Sequence, residues 1–289
     1  MKIPKKVIVD FVRQALSEDI GSGDVTTEAI VPERAAAIGR IVLEEDAVIA
    51  GIPIAEEVFR QLDVNVRFTS CKDGVRVKKG TTILKIRGSA RALLAGERTA
   101  LNILQRLSGI ATLTAHFVNE LAGTKAKIAD TRKTTPCLRI FEKYAVAIGG
   151  GHNHRFGLYD AVMIKDNHIM VAGSIKKAVA MTRQNIPHTM KIEVETTNLK
   201  EVKEALASGA DIIMLDNMPV EIMKKAVALI NKRAIVEASG NINLKNVREA
   251  ALTGVDIISI GALTHSYKSI SMSMDIANLP VGRQGGKRR

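Results

Sequence analysis

The sequence lacks tryptophan and has few aromatic residues, which make up 3% of its 289 positions. Its core must therefore be aliphatic, which suits the buried strands of a parallel sheet. The two cysteines, Cys71 and Cys137, are too few for a disulfide framework, so we expect a reducing, cytoplasmic environment. Residues 1–20 are amphipathic and charged rather than signal-like, and no apolar run reaches membrane-spanning length. We therefore expect neither a secretory signal nor a membrane partner.

Positive charge is in excess, with a formal net charge of +12. Part of it belongs to residues 280–289, a basic tail without acidic residues that we predict to be disordered. The rest calls for an anionic partner. Nucleic-acid-binding proteins interleave basic residues with aromatics or group them on one helix, whereas here single Arg and Lys residues follow predicted strands. The pattern therefore favours a small anion and argues against nucleic acid.

The first part of the chain predicts an α+β module over residues 1–110. An amphipathic helix is expected over residues 1–20, followed by short β-branched strands separated by glycines, with a helix at 54–62. A long helical pattern over 90–122 contains the expected domain boundary. We also expect a C-terminal helix at about 266–279 that packs on this module.

The rest of the chain, residues 111–265, alternates six short aliphatic runs with helical segments, which is typical of a parallel α/β sheet. The glycines at 149–151 do not match a dinucleotide-binding loop. Instead, polar residues close nearly every strand, as they do at the mouth of a (β/α) barrel. Since only six strands are clear, the predicted fold class is α/β, an incomplete (β/α) barrel with an N-terminal α+β sandwich domain.

The segment after the first barrel strand, Asp130–Pro136, is the most informative. Arg132 offers a planar pair of donors, Lys133 a point charge and Thr134 a hydroxyl donor, a set that suits phosphate or carboxylate. A surface turn held by salt bridges is the alternative.

Two further segments supply cations. The glycines before His154 and Arg155 allow the backbone to approach a ligand, and His154 adds an acid-base or hydrogen-bonding group. Zinc binding with His152 is disfavoured because no Cys or acidic residue lies at ligand spacing in the sequence. Lys165 follows the second strand and could pair with phosphate or form a Schiff base, and the neighbouring cations favour an anion.

Glu195 and Asp216 close consecutive strands and could bind ribose hydroxyls or Mg²⁺. They could also offset the lysine charges or act as a glycosidase pair, although that last mechanism leaves the arginines unexplained. Small residues in two late loops expose helix N-terminal amides to phosphate: Ser239, Gly240 and Asn241, and then Gly261, Ala262 and Leu263. Arg98, judged alone, is a solvated helix charge.

Together these segments resemble the quinolinate phosphoribosyltransferase family, also called nicotinate-nucleotide pyrophosphorylases (carboxylating). The similarity runs from Glu18 to Ser266. Its specific motifs are Asp130-Thr-Arg-Lys-Thr, Asn153-His-Arg-Phe-Gly-Leu, Lys165-Asp-Asn-His and Glu237-Ala-Ser-Gly.

The resemblance implies an N-terminal sandwich, an incomplete barrel and a homodimer in which each sandwich caps the partner's barrel, with a hexamer left open. It implies the joining of quinolinate to phosphoribosyl pyrophosphate with Mg²⁺ and no organic cofactor, giving nicotinate mononucleotide, CO2 and pyrophosphate. Arg98 would reach the partner's site. The 239–241 and 261–263 loops would take the 5′-phosphate. The residues around quinolinate and pyrophosphate would be Arg132, Lys133, Thr134, His154, Arg155 and Lys165.

Within this set, the resemblance implies that Lys133, Lys165, Glu195 and Asp216 are catalytic, with the two carboxylates holding ribose and metal. Two alternatives stay open: a molybdenum-transport-associated paralogue with another substrate, and a non-catalytic nucleic-acid-binding protein. The sequence departs from the family at Cys137, where glycine is usual. Because cysteine adopts positive φ only at a cost, we expect a different local loop there.

Overall fold

A computed structural model of the chain describes residues 1–278. Its helices are α1 (Lys5–Ile20), α2 (Val25–Ile30), α3 (Ile52–Leu62), α4 (Ala90–Glu120), α5 (Arg139–Ile148), α6 (Asp166–Ala172), α7 (Ile175–Asn185), α8 (Leu199–Ala207), α9 (Val220–Ile230), α10 (Val247–Leu252) and α11 (Ala262–His265). Its strands are β1 (Ala36–Leu43), β2 (Ala47–Val48), β3 (Arg67–Ser70), β4 (Arg76–Val77), β5 (Thr82–Ser89), β6 (Lys127–Ala129), β7 (Val162–Ile164), β8 (Ile192–Thr196), β9 (Ile212–Asp216), β10 (Ile235–Ser239), β11 (Ile257–Ser259) and β12 (Met272–Asn278).

The chain divides into two compact units, and α4 runs from the first into the second. Among the described residues, the first unit comprises Met1–Gly109 together with residues 268–278, and the second comprises Ile110–Tyr267. The basic tail predicted at 280–289 lies outside the described residues. Among the residues that are described, no helix combines the length and apolar character needed to cross a membrane.

The first unit is built on an antiparallel sheet with strand order β12-β1-β5-β3. Alternate residues of β1 are buried, as expected for a sheet with one face on a core. The C-terminal segment predicted as a helix is instead β12, which pairs with β1 and places Met274 opposite Ile41. That prediction was wrong because the segment alternates: Met272 and Met274 are buried while Asp275 is exposed, the period of a strand.

The second unit holds a six-stranded parallel sheet with the order β6-β11-β10-β9-β8-β7. Strands β7 to β11 are neighbours in sequence order, and β6 joins at β11, so the sheet curls as a barrel does. In the described part of the chain β6 and β7 are not paired with each other, which confirms the predicted incomplete barrel. The strands carry the aliphatic core, with Val194, Ile213 and Ala238 fully buried.

Helix starts in this unit follow the expected capping chemistry. The side chains of Ser174 and Asn198 accept hydrogen bonds from backbone N–H groups in the first turns of α7 and α8. These caps fix where each helix begins, and the Asn198 cap of α8 closely follows the end of β8 at Thr196.

The loop at Cys137 does not avoid the glycine conformation. Cys137 has a φ of 65°, so the prediction that cysteine would force a different local loop is wrong. The side chain is exposed, so no packing compensates. A residue with a Cβ in the left-handed conformation costs about 1–2 kcal/mol of folding free energy, which the contacts of the surrounding chain offset.

Candidate active site

A cavity of about 870 Å³ opens at the carboxyl ends of the strands in the second unit. This volume can hold substrates of nucleotide size. It brings together most of the sequence-predicted site residues: Arg132, Lys133, His154, Arg155, Lys165, Glu195, Asp216, Ser239, Gly240, Asn241, Gly261 and Ala262. All six strands of the sheet, or the loops that follow them, therefore contribute, because parallel strands release their terminal side chains at one edge.

Three predicted residues do not line this cavity. The Thr134 hydroxyl accepts a hydrogen bond from Arg139 Nε at 2.9 Å, so it is engaged within its own loop. Leu263 is completely buried in the core, which leaves only its backbone for a ligand. Arg98 is an exposed residue of α4 in the first unit.

The loop after β6 is hydrogen-bonded to α11, the short helix after β11. The Thr264 hydroxyl donates to the Lys133 carbonyl at 2.7 Å, and a Cβ placed on Gly261 would lie 2.9 Å from Cδ of Lys133. The lysine stem therefore lies against the glycine, and any larger residue would displace it. Beside it, Arg132 Nε is buried with no hydrogen-bond partner in the described part of the chain.

The loop that carries His154 is held from below by a buried ion pair. Lys143 Nζ contacts Asp130 Oδ1, and both side chains are fully buried. Asp130 also accepts hydrogen bonds from His154 N at 2.9 Å and Asn153 Nδ2 at 2.6 Å, while Lys143 donates to the His154 carbonyl at 2.9 Å. Burial raises the pKa of Asp130 and lowers that of Lys143, against their mutual attraction.

Arg155 faces another cation. Partial burial, and then the charge of Arg132, lower the pKa of its guanidinium from the ordinary value. Its Nη1 donates to the Ala161 carbonyl at 3.2 Å, which holds the side chain in place. Two arginines that repel each other at one cavity wall are stabilised by a bound anion.

The mouth also carries two carboxylates on adjacent strands. Glu195 is the next-to-last residue of β8, and its Oε2 lies 3.3 Å from Lys165 Nζ. Asp216 ends β9 and accepts a hydrogen bond from Asn217 Nδ2 at 2.9 Å. Oxygen donors from one or two carboxylates, completed by substrate phosphates, are the set that Mg²⁺ ordinarily takes in proteins, so the residues fit that ion.

The loop after β10 is shaped by one glycine. Gly240 has a φ of 86°, and a Cβ there would lie 2.4 Å from the Asn217 side chain. Asn241 Nδ2 donates to Asn217 Oδ1 at 2.9 Å and closes the turn. The loop therefore brings its backbone close to the cavity, a geometry that accommodates an anion.

The sequence interpretation missed two buried acids below the mouth. Glu193 Oε2 lies 3.1 Å from His154 Nε2, and Glu237 Oε1 lies 3.6 Å from the same nitrogen. Both acids are almost wholly buried, and His154 and Glu237 line the cavity. A charge inside each aliphatic run, Ile-Glu-Val and Val-Glu-Ala, is the signal that could have found them.

Metal ligation by histidine was disfavoured because no acidic residue lies at ligand spacing in the sequence. The fold nevertheless brings the ligand atoms of His154, Glu193 and Glu237 within 4.8 Å of one another. Arg155 N donates to His154 Nδ1 at 2.7 Å, so a neutral ring carries its proton on Nε2, facing the acids.

The charges in this group shift one another. Burial and then the charge of Glu193 raise the pKa of Glu237 to about 7. Burial opposes a charged His154, but the hydrogen bond to Glu193 and the charges of Glu237 and Glu193 outweigh it and raise the pKa of His154. The floor of the cavity is therefore acidic, whereas its mouth is basic.

Comparison with known proteins matches both units to one family. The model of the quinolinate phosphoribosyl transferase N-terminal domain matches residues 24–108, and that of its C-terminal domain matches residues 110–275. The chain is 48% identical over 260 residues to a probable nicotinate-nucleotide pyrophosphorylase [carboxylating] of Bacillus subtilis, covering 90% of each chain. It is 43% identical over 281 residues to the protein of that name from Methanocaldococcus jannaschii, covering 94% of this chain and 98% of that one. The crystal structure of NadC from Streptococcus pyogenes superposes with a TM-score of 0.94 at 44% identity, covering 97% of this chain and 100% of that one.

Proposed function

The chain belongs to the quinolinate phosphoribosyltransferase family, and from this premise we propose its reaction in full. It transfers the phosphoribosyl group of phosphoribosyl pyrophosphate to quinolinate, with loss of CO2, and forms nicotinate mononucleotide and pyrophosphate. The enzyme is thus a phosphoribosyltransferase of pyridine-nucleotide biosynthesis. The observation that carries this assignment is the convergence of four cations on one cavity mouth: Arg132, Lys133, Arg155 and Lys165.

Quinolinate carries two carboxylates on adjacent ring carbons. Arg132 and Arg155 both line the cavity, and a carboxylate matches a guanidinium in a bidentate pair. His154 lines the cavity beside Arg155, with its Nε2 directed toward Glu193 and Glu237. We assign these three side chains to the carboxylate edge of the pyridine ring.

Phosphoribosyl pyrophosphate needs seats for its 5′-phosphate and its diphosphate. The glycine-shaped loops at 239–241 and 261–262 line one side of the cavity and offer backbone N–H groups for the 5′-phosphate. The Leu263 contribution is limited to its backbone. Lys133 and Lys165 face the diphosphate, and Glu195 and Asp216 accept hydrogen bonds from ribose hydroxyls.

The chemistry needs no protein nucleophile. The pyridine nitrogen attacks C1′ of the ribose as pyrophosphate departs, and the positive nitrogen then stabilises the electron pair left at C2 when CO2 leaves. Lys133 and Lys165 stabilise the charge that develops on the departing pyrophosphate because they are already in place. Glu195 holds Lys165 in position through their ion pair.

Magnesium would be held by Glu195 and Asp216 together with substrate oxygens. The ion would supply further positive charge at the diphosphate. This assignment rests on the oxygen donor set at the mouth.

We propose a homodimer in which Arg98 of each subunit completes the partner's site. Arg98 is exposed, and α6, which follows β7, has no buried residue while Met170 and Val171 are exposed. Such apolar exposure is typical of surfaces that a partner covers. A hexamer assembled from such dimers would leave this pairing unchanged.

Subunit complementation tests the pairing. Arg98→Ala and Arg132→Ala homodimers should each be inactive, but a mixed population should recover about one quarter of wild-type activity, because half the dimers regain one intact site. No recovery after verified subunit exchange would show that Arg98 acts within its own subunit.

We also propose a cytoplasmic location. Both cysteines are free thiols, which is consistent with the reducing environment of the cytoplasm.

The alternative substrate reading is the molybdenum-transport-associated paralogue. It predicts no turnover of quinolinate, whereas the relatives reported above carry the carboxylating enzyme's name.

The assignment is tested by Arg132→Ala. This variant should keep its fold, by circular dichroism, and lose most carboxylating turnover, because Arg132 points into the cavity with an unpartnered Nε. A matched control is Arg248→Ala, since Arg248 does not line the cavity and donates to the carbonyl of Glu120. Near-normal activity in Arg132→Ala would overturn the assignment of the carboxylate wall.

A further inference from the structure

The reaction requires a proton that the residues assigned above do not supply. When the bond from C2 to its carboxylate breaks, CO2 leaves and the electron pair stays on C2. That pair must then take up a proton to give the C2–H bond of the product. An acid must therefore stand near the carboxylate edge of the ring while the ring is enclosed.

Glu237 stands at that edge. Its Oε1 lies 3.6 Å from His154 Nε2, one of the groups assigned to the substrate carboxylates. The side chain lines the cavity although the residue is only 1% exposed. Oε1 has no hydrogen-bond partner in the described part of the chain, so this buried polar atom at the cavity floor is available to a ligand.

Burial and one of its three neighbours favour the acid form of Glu237. Glu193 on β8 raises its pKa, whereas His154 of the 152–155 loop and Ser259 on β11 lower it. Burial, followed by the charge of Glu193, raises the Glu237 pKa to about 7, so a useful fraction of this carboxyl carries a proton near neutral pH. An ordinary glutamate would be almost entirely ionised there.

The other acids of the cavity are committed elsewhere. Lys165 pairs with Glu195, and Asp216 accepts from Asn217, all at the mouth. Glu237 lies two residues before Ser239 on the same face of β10, one layer deeper. The pyrophosphate therefore leaves at the mouth of the cavity, whereas the carbon that loses CO2 lies near its floor.

We propose that Glu237 is the catalytic acid that protonates C2 of the pyridine ring as CO2 leaves. The bond from C2 to its carboxylate breaks while its electron pair takes the proton of the Glu237 carboxyl to form the C2–H bond, so CO2 release depends on this proton. The resulting carboxylate recovers a proton from solvent after product release. This inference rests on the proposed function, because it presupposes quinolinate at the carboxylate wall.

Single-turnover rapid quench separates the two chemical stages, with pyrophosphate and CO2 measured in the same samples. In Glu237→Gln, pyrophosphate should form within about threefold of the wild-type rate, while CO2 and nicotinate mononucleotide form about 100-fold more slowly. Quinolinate mononucleotide should accumulate, which mass spectrometry detects. Equal slowing of both products, or no slowing of either, would overturn the proposal.

His154→Gln distinguishes a chemical role from a positional one. It removes the imidazole that lies 3.6 Å from Glu237 Oε1 but keeps the Glu237 carboxyl and the Glu193 charge that raises its pKa, so it should slow pyrophosphate and CO2 together. If it instead reproduced the Glu237→Gln pattern, the effect would come through His154 and the proposal would fall. Should Glu237→Gln not fold, Glu237→Asp, with its shortened reach, must slow CO2 selectively. Wild-type protein that forms neither product from quinolinate would defeat the proposed function itself.

Discussion

Lys143 and Asp130 form an ion pair in which neither side chain has any exposed surface. The pair holds both the N–H and the carbonyl of His154, so it connects the stability of the barrel to the position of a substrate-binding side chain. Leaving one charge of such a pair alone in the interior is costly.

Lys143→Met should lower the free energy of unfolding by about 3–5 kcal/mol, since it strands the Asp130 carboxylate without its partner. Urea unfolding followed by circular dichroism measures this. Lys125→Met is the control: Lys125 pairs with Asp256 at 2.6 Å, but the lysine is exposed and the aspartate only half-buried, so the loss should stay below about 1 kcal/mol. Similar losses in the two variants would contradict the structural role given to the buried pair.

Gly240→Ala should raise the KM for phosphoribosyl pyrophosphate roughly tenfold, about the value of one hydrogen bond to a charged group. The added Cβ would collide with Asn217 and displace the phosphate loop. Gly209→Ala is matched, because Gly209 also has positive φ, at 78°, but a Cβ there meets nothing within 4 Å. Both variants should lose some stability, and only the first should alter the KM in steady-state kinetics.

Cys137→Gly should stabilise the protein by about 0.5–1 kcal/mol. Relief of the left-handed strain exceeds the added chain entropy of glycine. Cys137→Ala keeps the Cβ and should bring no gain, so a comparison of urea midpoints isolates the backbone effect. Equal stability of the glycine and alanine variants would show that the φ of 65° carries no strain.

Glu237 should make stability depend on pH in an unusual direction. Its pKa is raised from 4.5 to about 7 in the folded protein, so the folded state holds this proton more tightly than the unfolded chain. The contribution is complete below pH 4.5 and is lost as the pH rises toward 7. Relative to Glu237→Gln, the wild type should therefore lose up to about 3 kcal/mol of unfolding free energy across that window. Urea unfolding at several pH values tests this, and a difference that does not vary with pH would contradict it.

The cationic mouth was predictable from the sequence because parallel strands end at one edge. Arg132, Lys165 and Asp216 each follow an aliphatic run, so their convergence needed only the alternation of strands and helices. Glu193 and Glu237 were not predicted, because their meeting with His154 depends on which face of each strand turns inward when the sheet curls. The curvature of the sheet cannot be read from the spacing of residues in the sequence.

The wrong prediction at the C-terminal segment was a helix where the structure has strand β12. The segment that ends at Asn278 became a strand because β1 offered it an open edge, a long-range pairing that local helical propensity does not reveal. The exposed Cys137 shows the converse, since the surrounding loop overrides a local steric preference.

The proposed reaction is tested most directly by incubating the purified protein with quinolinate, phosphoribosyl pyrophosphate and Mg²⁺ and measuring all products in one sample. We expect one nicotinate mononucleotide, one CO2 and one pyrophosphate for each quinolinate consumed, with turnover lost in Arg132→Ala. Intact quinolinate after prolonged incubation with the folded protein would contradict it.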